Sequence, residues 1–364
     1  MINKILISND GVEDVYLKRV YKWKLIMIAL IVSLIVVILL SANIGFTGIP
    51  PLKVLKIFIK GLPAINHLTT FSDITEVEET IVIQIRMPRI LAGVLVGAAL
   101  STAGVVFQGV FKNPMADPYV IGVSAGAALG AALAIILGVG FTLFGVSTVP
   151  ILAFIGALSS TFAVYSISRV GSRVPVTTLL LSGITVSIFL SAIVTFLSVI
   201  AGEKLHALVF WLIGGFSYVE WSDVWAALPL VVLGIATIYL FARDMNAMLL
   251  GEEAAQHLGI EVERLKKIMI TFGSMITAAA VSISGLIGFV GLMIPHLMRI
   301  LVGADHRILI PASLMAGAVM LVLCDAAARV VFMPAELPVG IITTLSGGPF
   351  FLYLLRKKRG GYRF

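Results

Sequence analysis

Ten apolar stretches, near residues 24–44, 88–110, 118–140, 149–168, 177–201, 225–242, 266–284, 287–303, 308–328 and 339–355, leave few ways for this chain to fold. About 20 apolar residues are enough to cross the hydrocarbon core of a bilayer as a helix. Membrane β-barrels are excluded, because their strands alternate over about ten residues and these runs are continuous and longer. Only 12% of the 364 residues are charged, half the share of roughly 25% that covers a soluble domain. The expectation is an all-α polytopic membrane protein with about ten transmembrane helices. A soluble enzyme, a disordered chain and a secreted disulfide scaffold are ruled out. The single cysteine, Cys324, cannot form an internal disulfide or a Cys-based metal site.

Charge sets the orientation. With ten spans and the N-terminus inside, 19 of the 26 Lys and Arg residues fall on the inner side and 7 on the outer. Basic residues concentrate in cytoplasmic segments, so both termini are expected to be cytoplasmic. The net charge of +7 therefore reports topology and gives no reason to expect a nucleic-acid partner. The first twenty residues are charged and the apolar run after them is too long for a cleavable signal sequence, so it reads as the first span. The organisation follows as a cytoplasmic N-terminal extension (1–23), one transmembrane domain (24–355) and a basic cytoplasmic tail (356–364). Three segments do not span: an outer connection over 45–87 with an acidic patch (Asp73, Glu76, Glu78, Glu79), an outer loop over 203–223 with a short apolar stretch, and an inner loop over 243–267.

The inventory of chemistry is mostly one of exclusions. A phosphate-binding loop needs Gly-Lys-Ser/Thr, and none of the 13 lysines follows a glycine. ATP-driven work must therefore fall to a partner. The five histidines show no metal-ligand spacing, so no metal site or cofactor is expected. His296, in the eighth stretch, is the one histidine placed inside the membrane, either as a functional group or as a bond between helices. Span interiors hold almost no acids, which argues against an ion-coupled secondary transporter. That remains the alternative class. A multi-span enzyme would need clustered histidines or carboxylates. Asp325 lies four residues before Arg329, a spacing that favours a local ion pair. Glycines at spacing four (Gly122, Gly126, Gly130) and Gly93, Gly97 and Gly104 suit close helix packing. Ser182 and Thr185, with Thr178, share a face of the fifth span and either line a pathway or bond back to their own helix. Arg86-Met-Pro-Arg89 opens the second span, where arginine opposes the helix dipole. The pair either anchors a helix end or receives an anionic partner.

Five blocks in order resemble the permease subunits of ATP-binding-cassette importers for iron–siderophore complexes, haem and cobalamin. They are Arg86-Met-Pro-Arg89-Ile through Asn113-Pro-Met-Ala-Asp-Pro118 to Gly122-Val-Ser-Ala-Gly126; Trp211-Leu-Ile-Gly-Gly-Phe216; Gly251-Glu-Glu-Ala-Ala-Gln-His-Leu-Gly259; Gly285-Leu-Ile-Gly-Phe-Val-Gly through Pro295-His296 to Ala304-Asp-His-Arg307; and Asp325-Ala-Ala-Ala-Arg329 with Glu336-Leu-Pro-Val-Gly340. The resemblance implies ten helices per subunit and a second permease subunit forming a homodimer or close heterodimer. It further implies two ABC ATPase subunits, an extracytoplasmic substrate-binding protein and a metal-chelate substrate. It assigns Arg86, Arg89 and Arg329 to docking of the binding protein, and Gly251, Glu252, Ala254, Leu258 and Gly259 to coupling with the ATPase. Asn113, Met115 and Thr177 match positions near the cytoplasmic gate. The N-terminal extension and the long 45–80 loop depart from a compact member of that family.

Overall fold

Water cannot satisfy a backbone in hydrocarbon, so a spanning segment must close its own hydrogen bonds, and every apolar stretch here is helical. The computed structural model describes residues 9–45, 48–60, 73–138, 140–143, 145–171 and 173–357. Parts of the N-terminal extension (1–8), the outer connection (46–47 and 61–72, with His67) and the basic tail (358–364) lie outside the described residues. In chain order the helices are α1 (Asn9–Asn43), α2 (Pro51–Lys60), α3 (Glu76–Thr80), α4 (Met87–Val110), α5 (Val123–Leu137), α6 (Thr148–Ser168), α7 (Val176–Ile200) and α8 (Leu205–Ile213). They continue with α9 (Trp221–Leu240), α10 (Ala242–Met248), α11 (Glu252–His257), α12 (Val262–Ser284), α13 (Val290–Val302), α14 (His306–Val330) and α15 (Val339–Lys357). A short ribbon of β1 (Thr142–Leu143) and β2 (Val146–Ser147) joins α5 to α6. Among the described residues, seven helices are long and apolar enough to cross a membrane, and α5, α13 and α15 are shorter apolar helices.

The centre of the bundle is α4, buried on all sides and packed against α12, α13 and α14. Glycine makes that possible. A Cβ at Gly97 would strike the carbonyl of Gly317 on α14, and one at Gly104 would strike that of Gly291 on α13. Gly126 of α5 stands in the same way against Gly156 of α6. Gly122 differs from the other glycines expected to pack helices: with φ 85° it caps the start of α5 in a left-handed conformation.

The second span begins earlier than the sequence reading places it. Helix starts at Glu76, and α3 runs through a π turn (Ile81–Arg86) directly into α4. Arg86 and Arg89 thus sit well inside a helix, and the dipole argument at this position does not hold. The true N-terminus is capped by Thr75, whose hydroxyl accepts from the Glu78 amide while Glu78 accepts from the Thr75 amide. This reciprocal box, with Glu76 and Glu79 in the same turn, suits the positive end of the dipole. The π turn answers Pro88, which has no N–H to donate. In the i to i−5 pattern the Met87 amide bonds Val82, which leaves the Ile83 carbonyl for residue 88. Trp221 fills the gap, its Nε1–H donating to Ile83 O at 3.0 Å.

The acidic patch of the 45–87 connection has basic partners. Helix α2 carries Lys53, Lys56 and Lys60 on one side, and they pair with Glu78 (2.7 Å), Asp73 (2.6 Å) and Glu79 (2.6 Å). Lys56 holds the Asp73 carboxyl below its usual range. The opposite side of α2 buries Val54 and Ile57 in a cluster with Val37, Ala42, Val82, Ile90 and Val322. This cluster ties the end of α1 to the start of the second span.

Candidate functional site

At this same end, three helices bring the arginines together. Arg89 of α4 donates from Nε to Asp325 of α14 at 2.8 Å and from Nη1 to Glu336 at 2.6 Å. Arg329 lies one helical turn beyond Asp325, its Nη2 3.1 Å from the other carboxylate oxygen. Its Nη1 also donates to the carbonyls of Ser41 (3.1 Å) and Ile44 (2.8 Å), and its Nη2 to the Ser41 hydroxyl. Arg86 donates to the Ala42 carbonyl at 2.7 Å. The final turn of α1 has carbonyls without helical partners, and two guanidinium groups cap them.

The expected local pair between Asp325 and Arg329 is present, widened to a network by Arg89. What differs is exposure. Arg86, Arg89 and Arg329 are 5%, 7% and 5% exposed, so none presents an open guanidinium in the single protomer. Glu336 is the solvent-facing member, its side chain 44% exposed, and Arg89 Nη2 has no hydrogen-bond partner among the described residues. Beside Glu336 opens a cavity of about 480 Å³, lined by Phe210, Trp211, Ser217, Asp223 and Ser284 among others.

The opposite end of the bundle carries the 243–267 segment, folded as α10, α11 and the start of α12. Gly251 (φ 121°) and Gly259 (φ 85°) bracket α11 in backbone conformations that side chains resist. Glu252 accepts from Lys266 at 2.8 Å, and Glu263 accepts from the same ammonium at 3.2 Å. Ala254 is half-buried, while Leu258 is 65% exposed, in company with exposed Leu249 and Leu250. A buried lysine fastens one side of this platform, and the exposed leucines stand on its open side beside Glu253, Gln256 and His257.

Asn246 fastens the rest. Its amide donates to Asp305 at 2.7 Å, and its oxygen accepts the His306 backbone N–H at 2.7 Å and lies 2.9 Å from His306 Nδ1. The sequence reading passed over Asn246, since one asparagine in a polar loop carries no pattern. The Arg307 guanidinium, with help from Asn246, pulls the Asp305 carboxyl down to about 2. A depressed carboxyl supports the fold above its unfolded pKa, 3.8, and loses that support as pH falls through about 2. Asn246→Ala should therefore cost about 1–2 kcal/mol, equally at pH 5.5 and pH 8, in thermal unfolding of the purified protein. A loss confined to one of these pH values would show that another group sets the contact.

The remaining candidates are scattered. Asn113 and Met115 share a turn, the Met115 amide donating to Asn113 Oδ1 at 2.9 Å. Thr177 lies in the first turn of α7, and all three are exposed. Ser182 is half-buried and Thr185 exposed, with the Thr185 hydroxyl donating back to Leu181 at 2.9 Å. His296 is buried near Phe351.

Known proteins supply the context. The FecCD transport family matches residues 33–357. The cobalamin import system permease protein BtuC of Halobacterium salinarum is 48% identical over 285 residues, covering 78% of this chain and 76% of its own. The hemin transport system permease protein HmuU of Yersinia pestis is 37% identical over 283 residues, covering 76% and 83%. A solved structure described as an inward-facing metal-chelate type ABC transporter aligns with a TM-score of 0.77 at 32% identity, covering 91% of this chain and 99% of that one.

Proposed function

The chain belongs to the FecCD transport family and is a permease subunit of an ABC importer for metal chelates or vitamins; from that premise we propose that it passes an iron–siderophore, haem or cobalamin complex into the cell by ATP-driven alternating access. It is a multi-pass protein of the cell membrane. The family match across nearly the whole helical bundle carries the reading. Both termini face the cytoplasm, in accord with the 19 to 7 division of basic residues.

The chain has no phosphate-binding loop, so two ATPase partners supply the energy. Each seats against the α11 platform, where Gly251, Glu252, Ala254, Leu258 and Gly259 transmit its motion. A second permease copy pairs with this one, and Asn113, Met115, Thr177, Ser182 and Thr185 face the shared passage. A substrate-binding protein docks at the arginine end. Its carboxylates replace Glu336 on Arg89, which has a donor to spare, and reach Arg86 and Arg329 once the last turn of α1 moves aside. Attraction of this kind steers association and weakens with salt.

The cheapest test is co-purification. The wild-type permease should carry its ATPase through affinity purification, and Leu258→Asp should reduce that yield at least tenfold, since it buries a charge in an apolar seat. A wild-type permease that never retains an ATPase, yet accumulates substrate on an ion gradient alone, would return the secondary-transport reading. Unchanged yield with Leu258→Asp would remove the platform from the ATPase seat.

A further inference from the structure

The cytoplasmic half of α1 precedes the family match, which starts at residue 33, and the importer reading gives it no task. On this stretch Val20, Trp23, Lys24, Met27 and Ile28 recur at helical spacing along one stripe. With Ile308 of α14 they line an apolar groove of about 400 Å³. Trp23 holds the helix in place, its Nε1–H donating to the Val302 carbonyl at 2.9 Å.

Two cations flank the groove. Lys24 is part of its lining and Arg19 is exposed beside it, while Lys18 and Lys22, also exposed, fall on the opposite side of the helix. The Arg19 guanidinium lies 4.9 Å from the centre of the Trp23 ring and reaches across toward Gly303. The ion pairs among the described residues engage none of Lys18, Lys22 and Lys24.

An apolar trough with a cationic rim suits one ligand chemistry, a hydrocarbon chain joined to a phosphate head group. A free anion would leave the trough unused, and a neutral lipid would leave the cations unused. We propose that the groove between α1 and α14 binds an anionic phospholipid, with an acyl chain along Val20, Met27, Ile28 and Ile308 and the phosphate between Arg19 and Lys24. Basic side chains beside a membrane face select anionic head groups, and an interfacial tryptophan fixes the depth. The bound lipid braces α1 against the turn that holds Asp305, the partner of Asn246. This role is independent of what the importer carries.

The test uses the full-length permease assembled with its partners in nanodiscs, and native mass spectrometry to count retained lipid. Phosphatidylglycerol should be retained over phosphatidylcholine of the same chain length. Each cation near the head group contributes roughly fivefold, so Arg19→Gln with Lys24→Gln should lower that preference about thirtyfold. Val20→Trp fills the trough with the charges intact and should also abolish retention. Millimolar inorganic phosphate should displace nothing. Equal retention of the two lipids, an unchanged preference in the double variant, retention despite Val20→Trp, or displacement by phosphate alone would each overturn the assignment.

Discussion

Asp325→Asn should cost the folded permease about 3–5 kcal/mol, the penalty for stranding buried charge. Asp325 is 1% exposed and stands between two arginines, with Arg89 at 2.8 Å and Arg329 at 3.1 Å. The asparagine keeps the volume and loses the charge, so two buried guanidinium groups then repel each other with only Glu336 nearby. Thermal unfolding in detergent reads the loss, and wild-type stability in Asp325→Asn would show that the network adds nothing. A second variant separates stability from docking. Arg89→Met added to Asp325→Asn removes one cation, and Arg329 keeps its acceptors on Ser41 and Ile44. Most of the stability should return. If Arg89 also receives the binding protein, stimulated transport stays low in this refolded double variant. If transport returns with stability, Arg89 is structural and docking rests on other residues.

The depth to which the sequence can be read varies between the two ends of the bundle. Apolar run length located the helices, seven of them long enough to cross a membrane among the described residues, because a backbone in lipid must close its own hydrogen bonds. It failed at the start of the second span, where Glu76 to Gln84 are too polar for hydropathy to register a helix. A finer signal was there: Thr75-Glu-Val-Glu78 has the spacing of a capping box. The burial of the arginines was out of reach, since their covers come from distant positions. Ser41, Ala42 and Ile44 offer backbone carbonyls, which no residue type announces, and Glu336 arrives from a loop almost 250 positions away from Arg89. The α11 platform was half legible. Gly251 and Gly259 marked its limits, while Asn246 bonds to Asp305, 59 positions away, and a lone asparagine carries no pattern that announces it.

Gly104→Leu should leave almost no folded protein, because what a side chain would meet there is backbone. A Cβ at this position collides with the Gly291 carbonyl, comes within 2.7 Å of its carbon and within 2.9 Å of the Pro295 ring. Overpacking typically costs about 1–3 kcal/mol when neighbouring side chains can shift. Here the obstacle is the start of α13, fixed by Pro295 and by Gln108, which donates from α4 to the Leu292 carbonyl at 3.1 Å. Separating α4 from α13 would break that bond and open the most buried layer of the bundle. The effect should grow with size, from Gly104→Ala through valine to leucine, read as yield of monodisperse protein and as unfolding temperature. Gly348 of α15 is the control, with nothing within 4 Å of an added Cβ. Gly348→Ala should be neutral or stabilising by up to ~1 kcal/mol, as helix propensity predicts. Equal behaviour of Gly104→Leu and Gly348→Ala would mean that helix approach at Gly104 does not hold this bundle together.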